Sequence, residues 1–390
     1  MIRYVDPIEG FGGYLAFAGH RHRLAAGGFR VQRGLDQETV ARLAEAMERK
    51  ERLLGLAVDG AKAGIDYDPR SPGKHDAMRR FFRFLRPHLA ERLSLGPDMG
   101  TTWPEIECIA RQVGVVSVKG AIAGAQGLTE GDLLARLRLL DEEVDGATLG
   151  ERRAGHALAH AALAAAEAVV GPGGLRIGIQ GFGTLARATA MSLAEAGHTP
   201  TAISDEHTCL HCYDDDIGAD GRGSGPSTGL PPVPVDVQSP QRLFELPLDV
   251  LVLAACEDAL SYERAEQLEV SAVVVGANLG LSTPVEDLLH RRGVLVVPDF
   301  VGGCGGSASM DALFGPTECP TPSQVLERVG ARMRTLVARV IETAWGRAVS
   351  TRAAALAMSE REVPPGMPYG RWCRPEPSGE RIRSGNGGRR

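Results

Sequence analysis

Lysine is the scarcest of the charged residues in this chain. Of 43 basic residues only Lys50, Lys62, Lys74 and Lys119 are lysines, and the rest are arginines. Arginine serves wherever a fixed positive charge is enough. The few lysines are therefore candidates for another task, because an amine can release its proton and a guanidinium cannot. Aromatic residues make up only 5% of the chain. No run reaches the ~20 apolar residues needed to span a bilayer. The longest candidate, Ala157 to Val170, is broken by His160 and Glu167. The opening stretch MIRYVDPIEG lacks the apolar core of a secretory signal. Seven unevenly scattered cysteines form no disulfide framework. A net charge of −6 gives no basis for a nucleic-acid partner. Together these absences lead to the expectation of a cytoplasmic protein with neither a membrane nor a nucleic-acid partner. The Arg-, Gly- and Pro-rich stretch 363–390 is expected to be a disordered tail.

What is present suffices for a sizeable core. The chain is 43% hydrophobic and 24% charged, and its 390 residues suggest two domains. Its 49 glycines point to turns and close backbone approaches. In the first 150 residues short strands and helices are mixed. Tyr14–Ala18 reads as a strand, and a polar loop leads to Gly27-Gly28. Asp36 caps a helix whose apolar stripe runs through Val40, Leu43, Met47 and Leu54 and which stops at Gly55. Lys50 falls on that stripe, where a lysine is rare unless it is paired or working. Leu56–Val58 reads as a short strand entering a glycine-rich turn over 59–64.

From about residue 151 the pattern changes. A long helix, Ala154–Val170, is closed by Gly171-Pro172-Gly173-Gly174. Strands at 175–180, 201–205, 249–254, 271–276 and 294–298 then alternate with helices at 184–196, 259–268 and 284–292. Thr283, Pro284 and Glu286 read as the capping box of the last helix. A Gly/Pro/Ser loop, 218–239, interrupts this region, and helices at about 322–346 and 350–361 follow it. Apolar strands alternating with amphipathic helices predict an α/β fold with a doubly wound parallel sheet of the Rossmann type. Within it, Gly181-x-Gly183-x-x-Ala186 lies between a strand and a helix. Such glycines let the chain turn tightly and bring backbone N–H groups to a pyrophosphate. Gly181, Phe182, Gly183, Thr184, Leu185 and Ala186 are thus predicted to bind a dinucleotide, with Asp205 on its ribose hydroxyls. The adjacent Glu206 repels a 2′-phosphate and no arginine follows directly, which favours NAD.

The stretch Leu56 to Pro69, LAVDGAKAGIDYDP, closely resembles a signature of the Glu/Leu/Phe/Val amino-acid dehydrogenases, a Gly-Gly-x-Lys-x-Gly turn ending in Asp-Pro. Further blocks resemble that family in the same order between about residues 15 and 362. They are Ala26 to Arg30, Pro97 to Thr101, Gln180 to Gly183, Gly276-Ala277-Asn278, Pro298-Asp299 and Gly305-Gly306. The likeness is nearer to the leucine, valine and phenylalanine branch. It implies NAD-dependent oxidative deamination of an amino acid to a 2-oxo acid and ammonia, and the reverse reaction. It also implies a homo-oligomer with a cleft between two domains. The substrate-binding and oligomerisation domain would span 1–150, completed by helices 322–362, and the NAD-binding domain 151–321. By the same resemblance Lys62 is the general base that activates water and Asp98 exchanges protons with the amino group. Lys50 binds the substrate carboxylate, Gly27 and Gly28 lie beside the substrate, and Asn278 lies beside the cofactor. Such a base needs a pKa lowered towards neutrality, which a dry pocket and a second ammonium both favour.

The departures bear on substrate. Ala26 stands where glutamate-specific members carry a lysine, and Met310 where they carry a serine. Without either, a glutamate side chain loses its partner on desolvation, so the resemblance implies an apolar substrate: leucine, valine, isoleucine or a larger aromatic one. Asp59 replaces the first signature glycine and is expected to pair with Lys62 or hold a substrate amine. Ala154 and Gly303 replace a threonine and an asparagine near the nicotinamide. These changes leave open a specialised biosynthetic relative acting on an unusual amino acid or imine, and a non-enzymatic NAD-binding regulator. No metal is expected. His207, Cys209, His211 and Cys212 crowd into six residues without a second Cys-x-x-Cys, and Asp214 to Asp216 lack a calcium-loop spacing. Cys304 reads as a small packing residue.

Overall fold

The computed structural model describes residues 1–170, 174–212 and 235–370. The first half is built on a five-stranded mixed sheet ordered β1-β2-β4-β3-β5. Its strands are β1 (Ile2–Val5), β2 (Gly12–Phe17), β3 (Leu24–Gln32), β4 (Val58–Asp66) and β5 (Leu93–Pro97). Helix α1 (Gln37–Leu53) is capped by the Asp36 carboxylate, which accepts from the Thr39 amide, and the chain leaves it through Gly55 at φ +66°. Helices α2 (Lys74–Glu91), α3 (Trp103–Gln112), α4 (Ala121–Gln126) and α5 (Glu130–Arg138) complete this half. Phe29, Phe81 and Phe82 pack in its core, Phe29 edge-on to Phe82 at 4.9 Å between ring centroids.

Two sequence expectations change here. The polar loop is present between β2 and β3, but Gly27-Gly28 lie inside β3, and the glycine-rich 59–64 segment is the middle of β4 rather than a turn. The reason is close packing rather than chain reversal. A Cβ on Gly60 would lie 2.3 Å from the Ala44 carbonyl oxygen, so glycine lets α1 sit directly on β4.

A short hairpin, β6 (Glu143–Val144) and β7 (Ala147–Thr148), leads into α6 (Leu149–Val169), which starts five residues earlier than expected, behind a Thr148–Glu151 capping box. The expected Gly171-Pro172-Gly173 stop lies outside the described residues. The second sheet is seven-stranded, ordered β11-β10-β9-β8-β12-β13-β14. Its chain order is β8 (Ile177–Gln180), α7 (Thr184–Glu195), β9 (Ala202–Ser204), β10 (Cys209–Cys212), β11 (Val235–Gln238), β12 (Val250–Leu253), α8 (Tyr262–Gln267), β13 (Ala272–Val275), α9 (Thr283–Arg291) and β14 (Leu295–Val297).

The strands from β9 through β8, β12 and β13 to β14 run parallel, as expected of a doubly wound sheet. The edge differs, because β10 and β11 join antiparallel. Residues 235–238, expected in a loop, form β11, while 218–234 lie outside the described residues. The cap of α9 is Ser282, one residue before the expected Thr283, and makes no side-chain cap bond. Short helices α10 (Asp299–Gly302) and α11 (Gly305–Phe314) follow, then α12 (Pro322–Arg347) and α13 (Thr351–Ser359). The alanine-rich α6 is buried between α7 and α12 within the main apolar cluster. Order also continues past residue 363, where a tail was expected to begin. Tyr369 is 1% exposed, and its backbone N–H and C=O both bond to the Gln126 amide.

Candidate active site

Alternation along β3 and β5 builds the site. Ala26 pairs with Ser94 and Gly28 with Gly96 across these parallel strands. The face carrying Ala26, Gly28 and Arg30 therefore also carries Ser94, Gly96 and Asp98. Lys62 of β4 enters the same face, and a Cβ on Gly28 would stand 3.1 Å from its Nζ and 3.0 Å from the Asp98 Cβ. Between them Gly27 faces the other way, where a Cβ would fall 1.7 Å from the Ala61 carbonyl oxygen. Gly27→Ala must force β3 and β4 apart, and is expected to lower the midpoint of thermal unfolding by roughly 5–10 °C. A thermal melt followed by circular dichroism checks this.

Asp98 is held at the mouth of β5 by Thr101. The Thr101 hydroxyl accepts from the Asp98 amide at 3.0 Å and donates to the Phe29 carbonyl at 2.8 Å. The Asp98 carboxylate forms an ion pair with the Lys62 amine. It also accepts from the Met99 amide at 2.7 Å and from Arg30 at 3.4 Å. Burial alone would raise the Asp98 pKa, but Lys62, Arg30 and the Met99 amide bring it down to about 2. Lys62 is 3% exposed. Its burial lowers the amine pKa, as do the charges of Arg30 and Lys50, while Asp98 alone pulls upwards.

Arg30 and Lys50 each make a contact that crosses from one half of the molecule to the other. Arg30, 1% exposed, donates to Glu257 at 2.8 Å from the same guanidinium that reaches Asp98. Lys50, buried on the apolar stripe of α1 as expected, donates to the Asn278 side-chain carbonyl at 2.8 Å. Asn278 is positioned in turn by Asp299, which accepts from the Leu279 amide at 2.9 Å.

The departures acquire physical reasons, and one expectation is overturned. Asp59 neither pairs with Lys62 nor faces the substrate side. It is fully buried on the opposite face of β4, where Arg92 and the His22 amide bond its carboxylate. Three residues along a strand reverse the side-chain direction, which a motif read as a turn does not convey. Gly303 leaves room for Lys50, since a Cβ there would meet its Nζ at 2.9 Å and the Asp299 carbonyl at 2.6 Å. Nothing in the structure explains Ala154. Ala26 and Met310 are both buried in one apolar cluster. Cys304 is buried and donates to the Phe300 carbonyl, and burial pushes its thiol up to about 12.

The glycine turn after β8 has the shape a dinucleotide-binding turn requires. Gly181 adopts φ +113°, a conformation that favours glycine, and its amide donates to the Ser204 carbonyl of β9 at 2.6 Å. The turn lies where β8 separates β9 from β12, the switch point at which such sheets bind ligands. Ala186, in third place, is packed inside α7, whereas a Cβ on Gly183 would meet nothing within 4 Å. The open side of Gly183 thus fits a pyrophosphate against the first turn of α7, at Thr184 and Leu185. Asp205 follows β9, and one of its oxygens accepts from the His207 and Thr208 amides, both at 2.8 Å. These bonds lower its pKa. Among the described residues no group of three or more His, Cys, Asp and Glu side chains could hold a metal ion. No helix among them is long and apolar enough to cross a membrane.

Sequence reasoning missed several charges around this site: the buried Arg30, Glu51 and Lys119 and the half-buried Arg153. Two signals pointed to them. Arg30 closes the Ala26-to-Arg30 block, and Lys119 is one of the four lysines. Three of those four, Lys50, Lys62 and Lys119, are buried around this sheet face, and only Lys74 is an ordinary ion pair, with Glu105 at 2.7 Å.

A glycine turn of dinucleotide-binding shape in one half and a buried lysine–carboxylate pair in the other, with Arg30–Glu257 and Lys50–Asn278 joining the halves, define an NAD(P)-linked dehydrogenase. The comparisons with known proteins narrow the class. Residues 146–367 match the family model for Glutamate/Leucine/Phenylalanine/Valine dehydrogenase, and residues 5–114 that for the Glu/Leu/Phe/Val dehydrogenase dimerisation domain. The chain belongs to this family of amino-acid dehydrogenases, oxidoreductases acting on CH–NH2 groups. It is 29% identical over 310 residues to the NAD-specific glutamate dehydrogenase of Staphylococcus aureus, covering 77% of this chain and 71% of that one. It is 26% identical over 308 residues to the NADP-specific glutamate dehydrogenase A1 of Halobacterium salinarum, covering 72% of this chain and 66% of that one. Among solved structures, the hetero-hexameric glutamate dehydrogenase of Thermus thermophilus in a leucine-bound form superposes with a TM-score of 0.67 at 26% identity. That match covers 90% of this chain and 82% of the other.

Proposed function

We propose that the protein catalyses NAD-dependent oxidative deamination of an L-amino acid, and the reverse amination, with Lys62 and Asp98 as its catalytic residues. The observation that carries this reading is the buried Lys62–Asp98 ion pair beside Gly28, with Lys50 reaching over it from α1. Lys50 binds the substrate carboxylate. Lys62, neutral once its proton has passed to Asp98 or to solvent, takes a proton from the water that attacks the oxidised carbon. Asp98 exchanges a proton with the departing amine, and Arg30 positions Asp98 and balances its charge. Gly181, Phe182, Gly183, Thr184, Leu185, Ala186 and Asp205 would hold the dinucleotide, with Asn278 beside it, and the bound group would supply the hydride acceptor. The stem of the substrate side chain lies against Ala26 and Met310, which suits an apolar chain. Beyond them the wall turns polar at Ser94 and Lys119. Assembly as a homo-oligomer through the first sheet completes the reading.

The test is consumption of NADH or NADPH with ammonium and a panel of branched, aromatic and dicarboxylic 2-oxo acids. Turnover with NADH supports the proposal. Binding of NADH without turnover of any member overturns it in favour of a non-enzymatic NAD-binding protein. The cofactor assignment has its own variant. Asp205→Ala removes an acceptor from the ribose and is expected to raise KM for NAD by ~10-fold or more, while kcat holds nearly constant. Initial rates against NAD concentration read this directly.

A further inference from the structure

Past Gly96, on the same face of β5 as Asp98, lies a buried cluster of charges with no part in the chemistry described so far. Lys119 is 5% exposed, and its amine donates to the Ser94 hydroxyl at 3.2 Å rather than forming an ion pair among the described residues. A Cβ on Gly96 would stand 3.9 Å from that amine, in ordinary contact, with no side chain intervening. Glu51 is 1% exposed. One of its oxygens accepts from the Ser307 hydroxyl at 2.6 Å and the other, Oε2, is buried without a partner. Arg153 completes the group from α6, donating to the Ser309 hydroxyl at 2.5 Å and, at 3.4 Å, to the Gly306 carbonyl, with its Nε buried and unpartnered. Ser307, Ser309 and Met310 belong to α11, so the charged cluster adjoins the apolar cluster that contains Ala26 and Met310.

Glu51 and Glu107 both lie within electrostatic reach of Lys119, yet among the described residues neither forms an ion pair with its amine, in a space nearly closed to water. A buried ammonium held only by a hydroxyl is costly, and an anion is the natural remedy. Its strain is visible in the Lys119 amine, which burial and the charge of Arg153 lower to about 7, against the upward pull of Glu51 and Glu107.

We propose that Lys119, with Arg153 behind it, is the specificity-determining anchor for a carboxylate at the end of the substrate side chain. This deepens the deamination reading and rests on it. Gly96 and Asp98 are two residues apart on one strand, about 7 Å. A substrate whose α-carbon sits at the Lys62–Asp98 pair therefore reaches the amine through a stem of roughly two to three methylenes, once ~3 Å is left for the hydrogen bond. The predicted substrate class is a dicarboxylic amino acid with a stem that is apolar where it passes Ala26 and Met310. The anchoring charge comes from position 119 and not from position 26.

Two measurements test this. The first compares kcat/KM for 2-oxoglutarate and 2-oxoadipate with that for 4-methyl-2-oxopentanoate, in wild type and in Lys119→Met. The expected result is a wild-type preference for the dicarboxylic acids, with the acidic-to-apolar ratio falling at least ~30-fold in the variant. The second titrates glutarate and adipate, against pentanoate and hexanoate, into the NADH-loaded wild-type protein by calorimetry. It needs neither turnover nor a folded variant. Tighter binding of the dicarboxylates supports the anchor, and equal affinity overturns it. Turnover confined to branched or aromatic 2-oxo acids overturns the anchor and leaves deamination standing. Silence across the whole panel, with dicarboxylates still preferred in binding, overturns deamination and supports the anchor.

Discussion

Lys62→Ala lowers turnover by an expected ~10³–10⁴-fold, the range of a lost general base, while NADH binding is expected to be retained. The size of the effect follows from the lack of a substitute. Arg30 and Lys50 stand near, but a guanidinium does not deprotonate, and Lys50 donates to Asn278. Lys62→Arg is therefore expected to be as inactive as Lys62→Ala, which separates a proton-transfer role from a purely electrostatic one. The pH profile gives a second reading. Lys62 acts as a base only when neutral, so the deamination rate rises with pH through its folded pKa. Burial, Arg30 and Lys50 place that pKa below the ordinary lysine value. The rising limb should accordingly lie below the ~10.4 of a free lysine. Initial rates across pH, with saturating substrate, locate it. A limb at the free-lysine value would remove Lys62 from this role.

Asp98→Asn is the next largest, with an expected ~10²–10³-fold fall in kcat. Asparagine keeps the shape and accepts from the Met99 amide through its carbonyl, so loss of activity without loss of fold isolates the charge. The sign of the accompanying pH shift is fixed by the arrangement. Asp98 is the charge that raises the Lys62 pKa, whereas burial, Arg30 and Lys50 lower it. Removing the carboxylate leaves only lowering influences, and the rising limb of the residual activity moves to lower pH. A shift to higher pH, or none, would show that the two groups are not coupled in the working enzyme.

The parts of this site that were legible in the sequence are those that geometry writes into spacing. Lys50 was placed on a buried stripe by helical periodicity, and it is buried there. The glycine turn after β8 was recognisable because a strand, a positive-φ glycine and a helix must follow in that order. What was not legible depends on which way a strand residue points and on contacts distant in sequence. Read as a turn, the segment puts Asp59 close to Lys62, yet on a strand the two project from opposite faces. The glycines misled for the same reason, since they serve the approach of α1 to β4 and not a reversal of the chain. Arg30 meets Glu257 across 227 residues, a pairing that no local pattern encodes. Lys119 was visible as one of four lysines, but only the fold placed its amine beside Gly96.

The bond between Lys50 and Asn278 joins the two halves of the molecule at the same amine that the proposed reaction gives to the substrate. An ammonium has three N–H donors, so under that reading Lys50 holds a substrate carboxylate with a second N–H while the first stays on Asn278. One side chain then fastens both the substrate and the seam between the halves, and a ligand without a carboxylate gains only half of that attachment.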